Sequence, residues 1–209
     1  DFEWGWEYYT TVSDCHAYGD IVWVKDERDT NRDSVIQNVG GFVGSASGGK
    51  FARCCAKGEI DAIGAGAGFA GNVYYDAVFE NCYARGNVTL PSWFIYGSYG
   101  YSWYGLFGGF ASYIWSGTFR NCYSTGKMPS PECYDTAGFG KAYQDTVEMV
   151  VERCYYDYET SAGLADDHAI PKSTAEMKSQ PTFVDWDFAV VWFINVNYND
   201  GYPDFKLGD

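Results

Sequence analysis

The sequence has no long hydrophobic run and little positive charge. No apolar stretch approaches the roughly 20 residues that a membrane-spanning helix needs, so membrane insertion is not expected. Lys and Arg number 14 against 28 Asp and Glu, which gives a formal net charge of −14 at pH 7. Because an acidic surface repels phosphate backbones, nucleic acid is not an expected partner.

The common catalytic and metal-binding motifs are also missing. The sequence contains no C-x2-C pair, no H-E-x-x-H, no G-x-S-x-G and no phosphate-binding glycine loop. The acidic stretch Asp166-Asp167-His168 is more typical of a solvated loop than of an acid–base pair. The sequence therefore predicts a protein that is not an enzyme.

One weak cation motif occurs. Asp29, Asn31 and Asp33 alternate as the oxygen ligands of a calcium loop do. The glycine and the bidentate Glu that complete such a loop are absent. No cofactor is expected, and Ca²⁺ is the weakly supported alternative.

Glycine and aromatic residues, in contrast, are abundant. The 209 residues include 25 Gly, and 20% are aromatic. Short apolar runs separated by Gly or Asn, without a helical period, favour an all-β fold with many turns.

A ten-residue phrase recurs along the chain. FENCYARGNV at 79–88 returns as FRNCYSTGKM at 119–128, and weaker copies surround three other cysteines. The spacings are 39 (15 to 54), 28 (54 to 82), 40 (82 to 122) and 32 (122 to 154) residues. The five phrase cysteines are Cys15, Cys54, Cys82, Cys122 and Cys154. A Gly-Phe phrase precedes each of the last four copies by a nearly constant length, whereas the stretch after each copy varies.

These repeats predict a right-handed parallel β-helix, or β-solenoid, of about five coils. The expected organisation is an N-terminal aromatic segment or edge strand at 1–10, repeats over 11–160 and a capping segment over 161–209. A β-sandwich with strands that look alike by chance is the alternative, which five copies of two phrases in fixed order disfavour.

The phrase cysteines predict a ladder of thiols. Coils stacked about 4.8 Å apart bring consecutive Cα atoms into disulfide range but leave the Cβ atoms beyond the usual 3.5–4.5 Å. Buried free thiols are therefore favoured, and one strained bridge between neighbouring coils is the alternative. Cys55 and Cys133 lie outside the ladder and are better placed to bridge to another segment. Since the seven cysteines are an odd number, at least one cannot pair within the chain.

The sequence resembles a known repeat family. GGFVGSASGG at 40–49 followed by FARCCAKGEI at 51–60 is similar to the repeat of GLUG-motif proteins, and STAEMKSQPTFVDWDF at 173–188 to the segment that closes their repeats. The resemblance covers about residues 11–206. Asp14, Arg53 and Arg153 depart from it, because they replace the Asn before the cysteine. The resemblance implies a secreted or cell-surface β-solenoid that serves as a stalk, adhesin or surface-layer part, and it brings no catalytic residue.

The C-terminal segment carries a helix-start signal. Ser173 and Glu176 form a capping box, and Pro181 would end the helix. We expect this segment to cover the last coil with apolar residues, namely Phe183, Trp186, Phe188, Val191, Trp192 and Ile194. Since the first residues carry no comparable cap, the N-terminal end is the expected adhesive end.

An uncharged aromatic insert occupies residues 90–107. Its candidate contact residues, together with two near the N terminus, are Trp93, Phe94, Tyr96, Tyr99, Tyr101, Trp103, Tyr104, Trp4 and Trp6. They could form a local mini-core, a subunit interface or a platform that stacks on sugar rings. Trp115, just beyond, could extend any of the three.

These features predict a non-catalytic extracellular structural or adhesive module, a surface or filament subunit that associates with itself or with other surface proteins. The alternative is a carbohydrate-binding module, or a polysaccharide-active enzyme, on the same scaffold, with glycans as partners. Asn87-Val88-Thr89 is an N-glycosylation sequon, expected to be accessible at a turn.

Overall fold

The computed structural model describes residues 10–22, 38–62, 65–90, 106–129, 135–142, 149–161 and 168–206. Within these residues, short strands in parallel sheets dominate, and helix is limited to a few residues near the C terminus. The predicted all-β parallel fold is therefore confirmed at this level.

The strands are short and numerous. In chain order they are β1 (Thr11–Ser13), β2 (His16–Ala17), β3 (Val39–Gly40), β4 (Val43–Ser47), β5 (Lys50–Ala52), β6 (Cys55–Ala56), β7 (Ile60–Asp61), β8 (Ala65–Ala67), β9 (Ala70–Tyr74), β10 (Val78–Glu80), β11 (Tyr83–Ala84), β12 (Val88–Thr89), β13 (Leu106–Gly108), β14 (Ala111–Ile114), β15 (Gly117–Arg120), β16 (Tyr123–Ser124), β17 (Asp135–Ala137), β18 (Gly140–Ala142), β19 (Met149–Glu152), β20 (Tyr155–Asp157), β21 (Ile170–Lys172), β22 (Trp192–Phe193) and β23 (Asp204–Phe205).

These strands form five parallel sheets, named A to E, and one antiparallel pair. Sheet A is β1-β5-β10-β15-β19, sheet B is β2-β6-β11-β16-β20-β21, sheet C is β7-β12, sheet D is β3-β8-β13-β17 and sheet E is β4-β9-β14-β18; β22 pairs with β23. From β3 to β20 the chain passes through D, E, A and B in that order four times, with a strand of sheet C after the first two passes. Each of these four sheets therefore stacks one strand from every pass.

The register places equivalent residues of the repeats beside each other. In sheet A, Phe51 pairs with Val12 on one side and Phe79 on the other, and Phe79 pairs in turn with Phe119. The rings of Phe51, Phe79 and Phe119 stack in series with centroids 5.0 Å apart. The inward face of this sheet is therefore a column of phenylalanines.

The Gly-Phe phrases supply a second column. Phe42, Phe69, Phe110 and Phe139 stack with centroids 4.7, 4.8 and 5.0 Å apart. The two columns meet edge to face, as between Phe69 and Phe79 at 5.9 Å and 89°. Because both geometries suit the ring quadrupole, a repeated phenylalanine pair fills the core of the first three passes. In the fourth pass Val151 takes the place of the sheet A phenylalanine beside Phe119.

The glycine before each stacked Phe is required by close packing of the backbone. A Cβ on Gly68 would collide with the carbonyl oxygen of Gly109, and one on Gly109 with that of Gly138. A side chain at these positions would push neighbouring passes apart and break the phenylalanine columns.

The C-terminal end of the core is closed by a tyrosine of sheet B. The inward column of this sheet runs through small residues, such as Ala56, Ala84 and Ser124, to Tyr156, and β21 continues the register beyond it with Pro171. The Tyr156 ring lies against Gly138 in the cluster that buries Phe139 and Ala169. This end of the core is thus covered without the aromatic tail.

The predicted capping box is present. Helix α1 (Thr174–Met177) starts at the N-cap Ser173, whose hydroxyl accepts from the backbone N–H of Glu176, while the Glu176 carboxylate accepts from the Ser173 N–H. Two 3₁₀ turns follow, at Gln180–Thr182 and Asn199–Gly201. The helix has one turn, because Pro181 opens the first 3₁₀ turn.

The expectation that the aromatic tail lies across the last coil is wrong. The tail packs on the outer face of sheet B, against Tyr83, Tyr123 and Tyr155 from three successive passes and against Cys55 from the pass before them. This outward column is aromatic, whereas the outer face of a two-sided sheet is usually polar. The apolar residues of the tail therefore bury a flank of the stack and not its end.

Polar contacts fix the tail along this flank. Asp204 accepts from the Tyr83 hydroxyl at 2.7 Å and pairs with Lys57 at 3.4 Å. Arg85 donates through Nη1 to the Asn199 carbonyl oxygen and Oδ1, both at 2.8 Å, and Trp192 Nε1 donates to Asn81 Oδ1 at 3.1 Å. The tail thus contacts several passes along one side of the stack and holds them together.

Candidate functional site

The five phrase cysteines occupy one repeated corner between sheets A and B. Each follows a strand of sheet A by two residues and precedes a strand of sheet B. Four of the thiols, from Cys54 to Cys154, are buried, and Cys15 is exposed at the N-terminal end. All five are free, so the predicted ladder of unpaired thiols is what the structure has.

Each thiol donates to backbone carbonyls. Cys122 Sγ lies 3.2 Å from the Arg120 carbonyl oxygen and 3.6 Å from that of Phe79 in the preceding pass. Cys82 and Cys54 repeat this pattern with a residue two positions back and one in the preceding pass. Because a thiolate cannot donate, these contacts require the thiol to be protonated.

The shifts of the thiol pKa values alternate along the ladder. Hydrogen bonding to Cys82 and burial raise the pKa of Cys54, and burial raises the pKa of Cys122. At Cys82, between them, burial is outweighed by hydrogen bonding with Cys122 and Cys54, which lowers the pKa of this thiol. Cys82 is nevertheless fully buried, and within the described residues no group of three metal-binding side chains surrounds it. The ladder therefore packs as a column of small, mostly apolar side chains.

The residue before each ladder cysteine has a left-handed backbone. Its φ is 55° at Asp14, 52° at Arg53, 53° at Asn81, 52° at Asn121 and 52° at Arg153. Asn and Asp tolerate this region better than most residues, which explains the Asn of the repeated phrase.

The two arginines at this position reach their neighbours. Arg53 pairs with Asp14 at 2.6 Å, and Arg153 Nε donates to Asn121 Oδ1 at 2.9 Å. Asn121 Nδ2 in turn lies 3.4 Å from Asn81 Oδ1. A polar column thus runs along the outside of the thiol ladder, and the departures from the family phrase take part in it.

Cys55 has a different environment from the ladder. It is a fully buried free thiol beneath the C-terminal tail, next to Tyr83, and burial raises its pKa to about 11. Cys55, a candidate for a bridge to another segment, is therefore a free thiol, and Cys133 lies outside the described residues.

The sequon asparagine is engaged in hydrogen bonds. Asn87 is half-buried; its Nδ2 donates to the two carboxylate oxygens of Glu59 at 2.9 and 3.2 Å, and its Oδ1 accepts from the Lys127 N–H at 2.8 Å. These bonds link three successive passes. The prediction that the sequon asparagine is accessible is therefore wrong.

The aromatic contact residues of the insert, and Trp4 and Trp6, lie outside the described residues, as do Asp29, Asn31 and Asp33. The chain positions that flank the insert are described. Leu90 ends the β12 segment, and Leu106 starts β13 of sheet D.

Up to residue 134, the described residues that flank each variable stretch lie at one corner of the stack. Residues 23–37, 63–64, 91–105 and 130–134 each lie between a residue of the sheet C column and a strand of sheet D. The column is continuous, since Ile60 pairs with both Ile21 and Val88 and the Val88 N–H donates to the Lys127 carbonyl. The variable stretch seen after each cysteine phrase is thus attached at one edge.

A separate exposed aromatic patch lies at the turn from sheet E to sheet A. Tyr75 is 78% exposed and Trp115 is 42% exposed, and the Trp115 ring stacks on Tyr74 at 5.9 Å. The sequence analysis did not single out Tyr74 or Tyr75. The repeats could have indicated Tyr74, because Tyr74 and Trp115 occupy matching positions before a strand of sheet A. Trp115 follows β14, so β13 and β14 separate it from the insert along the chain.

Within the described ranges, no three His, Cys, Asp or Glu side chains group as a metal site would. In the same ranges, no helix is long and apolar enough to cross a membrane. Comparison with known proteins gave no match to a family model, a curated protein or a solved structure.

Proposed function

We propose that the chain is a right-handed β-solenoid of about five coils that acts as a non-catalytic structural or adhesive module outside the cell. The observation that carries this proposal is the stacking of equivalent residues in four successive passes through sheets D, E, A and B. Parallel strands joined by crossovers adopt the right-handed connection almost always. A stack of this kind is a rigid rod-like support along which loops can be displayed.

A secreted or cell-surface location follows from the resemblance to GLUG-motif repeats. The stacking supports that resemblance, because the Gly-Phe and Asn-Cys phrases that carry it occupy the structural positions that repeat from pass to pass. As a surface or filament subunit, the protein would meet a second copy of itself or another surface protein.

The proposed contact surface is the aromatic insert. Leu90 and Leu106, which flank it, lie at the corner where the variable segments join the stack. An uncharged segment rich in Tyr and Trp is typical of interface hot spots, which bury large rings with little loss of side-chain entropy. This surface would act in the absence of any cofactor, with Ca²⁺ at Asp29, Asn31 and Asp33 as the weaker alternative.

Light scattering on the full chain tests this proposal. We expect a defined oligomer or filaments, and a shift toward the 23.4 kDa monomer in a Trp93→Ser, Trp103→Ser double variant. Tyr75→Ser is the matched control, because Tyr75 is an exposed aromatic residue outside the insert. If the full chain remained monomeric at every protein concentration measured, the proposal of self-association would be wrong.

The exposed aromatic patch favours a second candidate function, a carbohydrate-binding module. Tyr75 and Trp115 present ring surface that could stack on sugar rings. In this case the monomer would show a change in Trp fluorescence with a particular polysaccharide, and Trp115→Ala would abolish the change. Release of new reducing ends from the polysaccharide would instead indicate a polysaccharide-active enzyme.

A further inference from the structure

The ladder thiols are placed alike from pass to pass. The Sγ atoms of Cys54, Cys82, Cys122 and Cys154 lie 3.4, 3.5, 3.2 and 3.5 Å from the carbonyl oxygen two residues earlier. The first three also contact a carbonyl oxygen of the preceding pass, at 3.5, 3.5 and 3.6 Å. Because the same contacts recur, consecutive sulfur atoms are separated by the spacing between passes.

The core beside the ladder gives that spacing. Phe51, Phe79 and Phe119 each precede a ladder cysteine by three residues, and their rings stack with centroids 5.0 Å apart. Strands paired in a sheet lie about 4.8 Å apart. Consecutive ladder sulfurs are therefore separated by about 5 Å, which is more than twice the length of a disulfide bond.

This separation suits a soft cation bound in a line between two sulfurs. Thiolate ligands select Cu(I), a cation that two sulfur ligands on opposite sides can hold. Two collinear metal–sulfur bonds of about 2.3 Å, the length of a zinc–thiolate bond, span about 4.6 Å. A tetrahedral zinc site needs four converging ligands, whereas a column offers only the two sulfurs on either side of each interval. The ladder therefore matches a linear site and not a tetrahedral one.

The corner also tolerates the loss of a thiol proton. The carbonyl oxygens of Glu80 and Arg120, which accept from ladder thiols, also accept from the backbone N–H groups of Arg53 and Asn81 at 3.1 and 2.9 Å. These oxygens keep a donor when the thiol proton leaves, so binding of a cation leaves no buried acceptor without a partner.

The exchange of a proton for a cation keeps the buried corner neutral. When Cu(I) enters between two thiols, one S–H bond breaks, its proton passes to water, and that sulfur forms a bond to the cation. The second sulfur binds through a lone pair and keeps its proton, and no electron is transferred. Neutrality matters because an unpaired buried charge is costly.

The N-terminal end of the ladder gives access to it. Cys15 is exposed, and its Sγ lies 3.2 Å from the Ser13 carbonyl oxygen, which is the same contact that the buried thiols make. Cys54 in the next pass is buried. A cation captured by Cys15 therefore meets the buried sulfurs one after another and can pass between them by ligand exchange.

We propose that the thiol ladder is a binding site for Cu(I), with each cation held in a line between the sulfurs of consecutive passes and admitted through Cys15. The five ladder sulfurs leave four intervals, so the bound cations form a row along the stack. The repeated cysteine then has a chemical role in addition to its packing.

An anaerobic titration of the full, reduced chain tests the proposal. Cu(I) is supplied as its acetonitrile complex in competition with bicinchoninate, a chelator that removes weakly bound Cu(I). We expect four cations per chain, with one proton released for each. X-ray absorption at the copper edge should show two sulfur neighbours and no nitrogen or oxygen neighbour.

Three single variants distinguish a ladder from isolated thiols. Cys82→Ala removes a sulfur that borders two intervals, so two cations should be lost. Cys154→Ala removes the last sulfur, which borders one interval, so one cation should be lost. Cys55→Ala is the matched control and should lose none, because Cys55 is an equally buried free thiol outside the ladder. Circular dichroism checks the fold of each variant, and Cys154→Ala keeps the test decisive if Cys82→Ala does not fold.

Three results would overturn the proposal. The first is a full chain that binds no Cu(I) in the presence of bicinchoninate. The second is an equal loss of one cation in all three variants, which would show that the thiols bind copper singly. The third is a copper centre with three or more neighbours, or with nitrogen or oxygen among them, since a linear site between two sulfurs has neither.

Discussion

At the scale of the residue, a left-handed backbone position recurs before every ladder cysteine. The repeated phrase uses Asn there, and the three other residues at this position, Asp14, Arg53 and Arg153, make side-chain contacts with the neighbouring pass. A non-glycine residue with positive φ costs roughly 1–2 kcal/mol unless its side chain is suited to it. A polar contact between neighbouring passes thus offsets the free-energy cost of the positive φ at this position.

Substitution of Asn121 should separate the backbone effect from the hydrogen bonds. Asn121→Gly keeps the left-handed turn and loses the bond from Arg153, which should cost about 1 kcal/mol. Asn121→Ala loses the same bond and adds the cost of positive φ, so we expect about 2 kcal/mol in all. Urea unfolding of both variants measures the difference. Equal destabilisation by Gly and Ala would show that the backbone conformation contributes little.

The thiol ladder could be predicted from cysteine spacing, because in-register stacking fixes the distance between side chains. The position of Asn87 could not. Its accessibility depends on Glu59 and Lys127, which lie 28 and 40 residues away in sequence and meet its side chain only after stacking. Spacing predicts which backbone positions become neighbours, but not which polar side chains satisfy each other.

At the scale of the element, the C-terminal tail shows which signal the sequence analysis overlooked. Apolar residues after the capping box were correctly expected to cover something, but the surface that they cover was wrong. A Tyr follows the ladder cysteine at Tyr83, Tyr123 and Tyr155, and alternation along a strand points these side chains outward. An outward column of three tyrosines needs a cover, and the phrase Cys-Tyr could have indicated that the tail packs on this flank.

The attachment of the C-terminal tail to sheet B should depend strongly on Arg85. Its removal should cost more stability than removal of an arginine from an exposed ion pair. The Arg85 side chain is 16% exposed and donates to Asn199 and Asp200. Arg85→Met keeps the apolar stem but loses these charge-assisted bonds, so we expect a loss of about 2 kcal/mol in the free energy of unfolding. Arg120→Met is the matched control. It removes an exposed pair with Glu152 and should cost less than about 0.5 kcal/mol.

Urea unfolding of the two variants, with hydrogen exchange over residues 199–206, checks this expectation. Arg85→Met should also speed exchange in that stretch, since the tail would lose an anchor to sheet B. Similar stabilities for the two variants would mean that aromatic packing holds the tail without the polar contacts.

At the scale of the whole molecule, the fold is a stack in which each repeated position forms its own column. The columns of Phe and of Cys fill the core, the column of Tyr receives the tail, and the sheet C column carries the variable segments. The parallel all-β fold could be predicted from the repeats because each column consists of a residue type that recurs from repeat to repeat. The tail and the closing Tyr156 could not, because each occurs once and breaks the period.

This arrangement buries several groups that ionise only at high pH. Burial raises the pKa of Cys55 from its ordinary value of 9.0 to about 11. Burial also raises the pKa values of Tyr83 and Tyr123 above the ordinary 10.0. A raised folded-state pKa contributes stability that is complete below the unfolded pKa and is lost as the pH rises through the folded value. We therefore expect stability to fall between about pH 9 and pH 11, as follows from this linkage.

Cys55→Ala isolates the contribution of one thiol to this loss. At pH 8 the wild type should be more stable than the variant, since the substitution leaves a small cavity. As the pH rises to 11, the wild type should lose up to about 2 kcal/mol of unfolding free energy more than the variant. The reason is that the Cys55 thiol ionises in the unfolded chain at a lower pH than in the folded protein. Urea unfolding at several pH values in the presence of a reductant measures this difference. Cys15→Ala is the control for removal of a thiol at an exposed position. A stability difference between wild type and Cys55→Ala that stays constant from pH 8 to pH 11 would show that Cys55 reaches solvent, and hence that the tail does not seal the flank of sheet B.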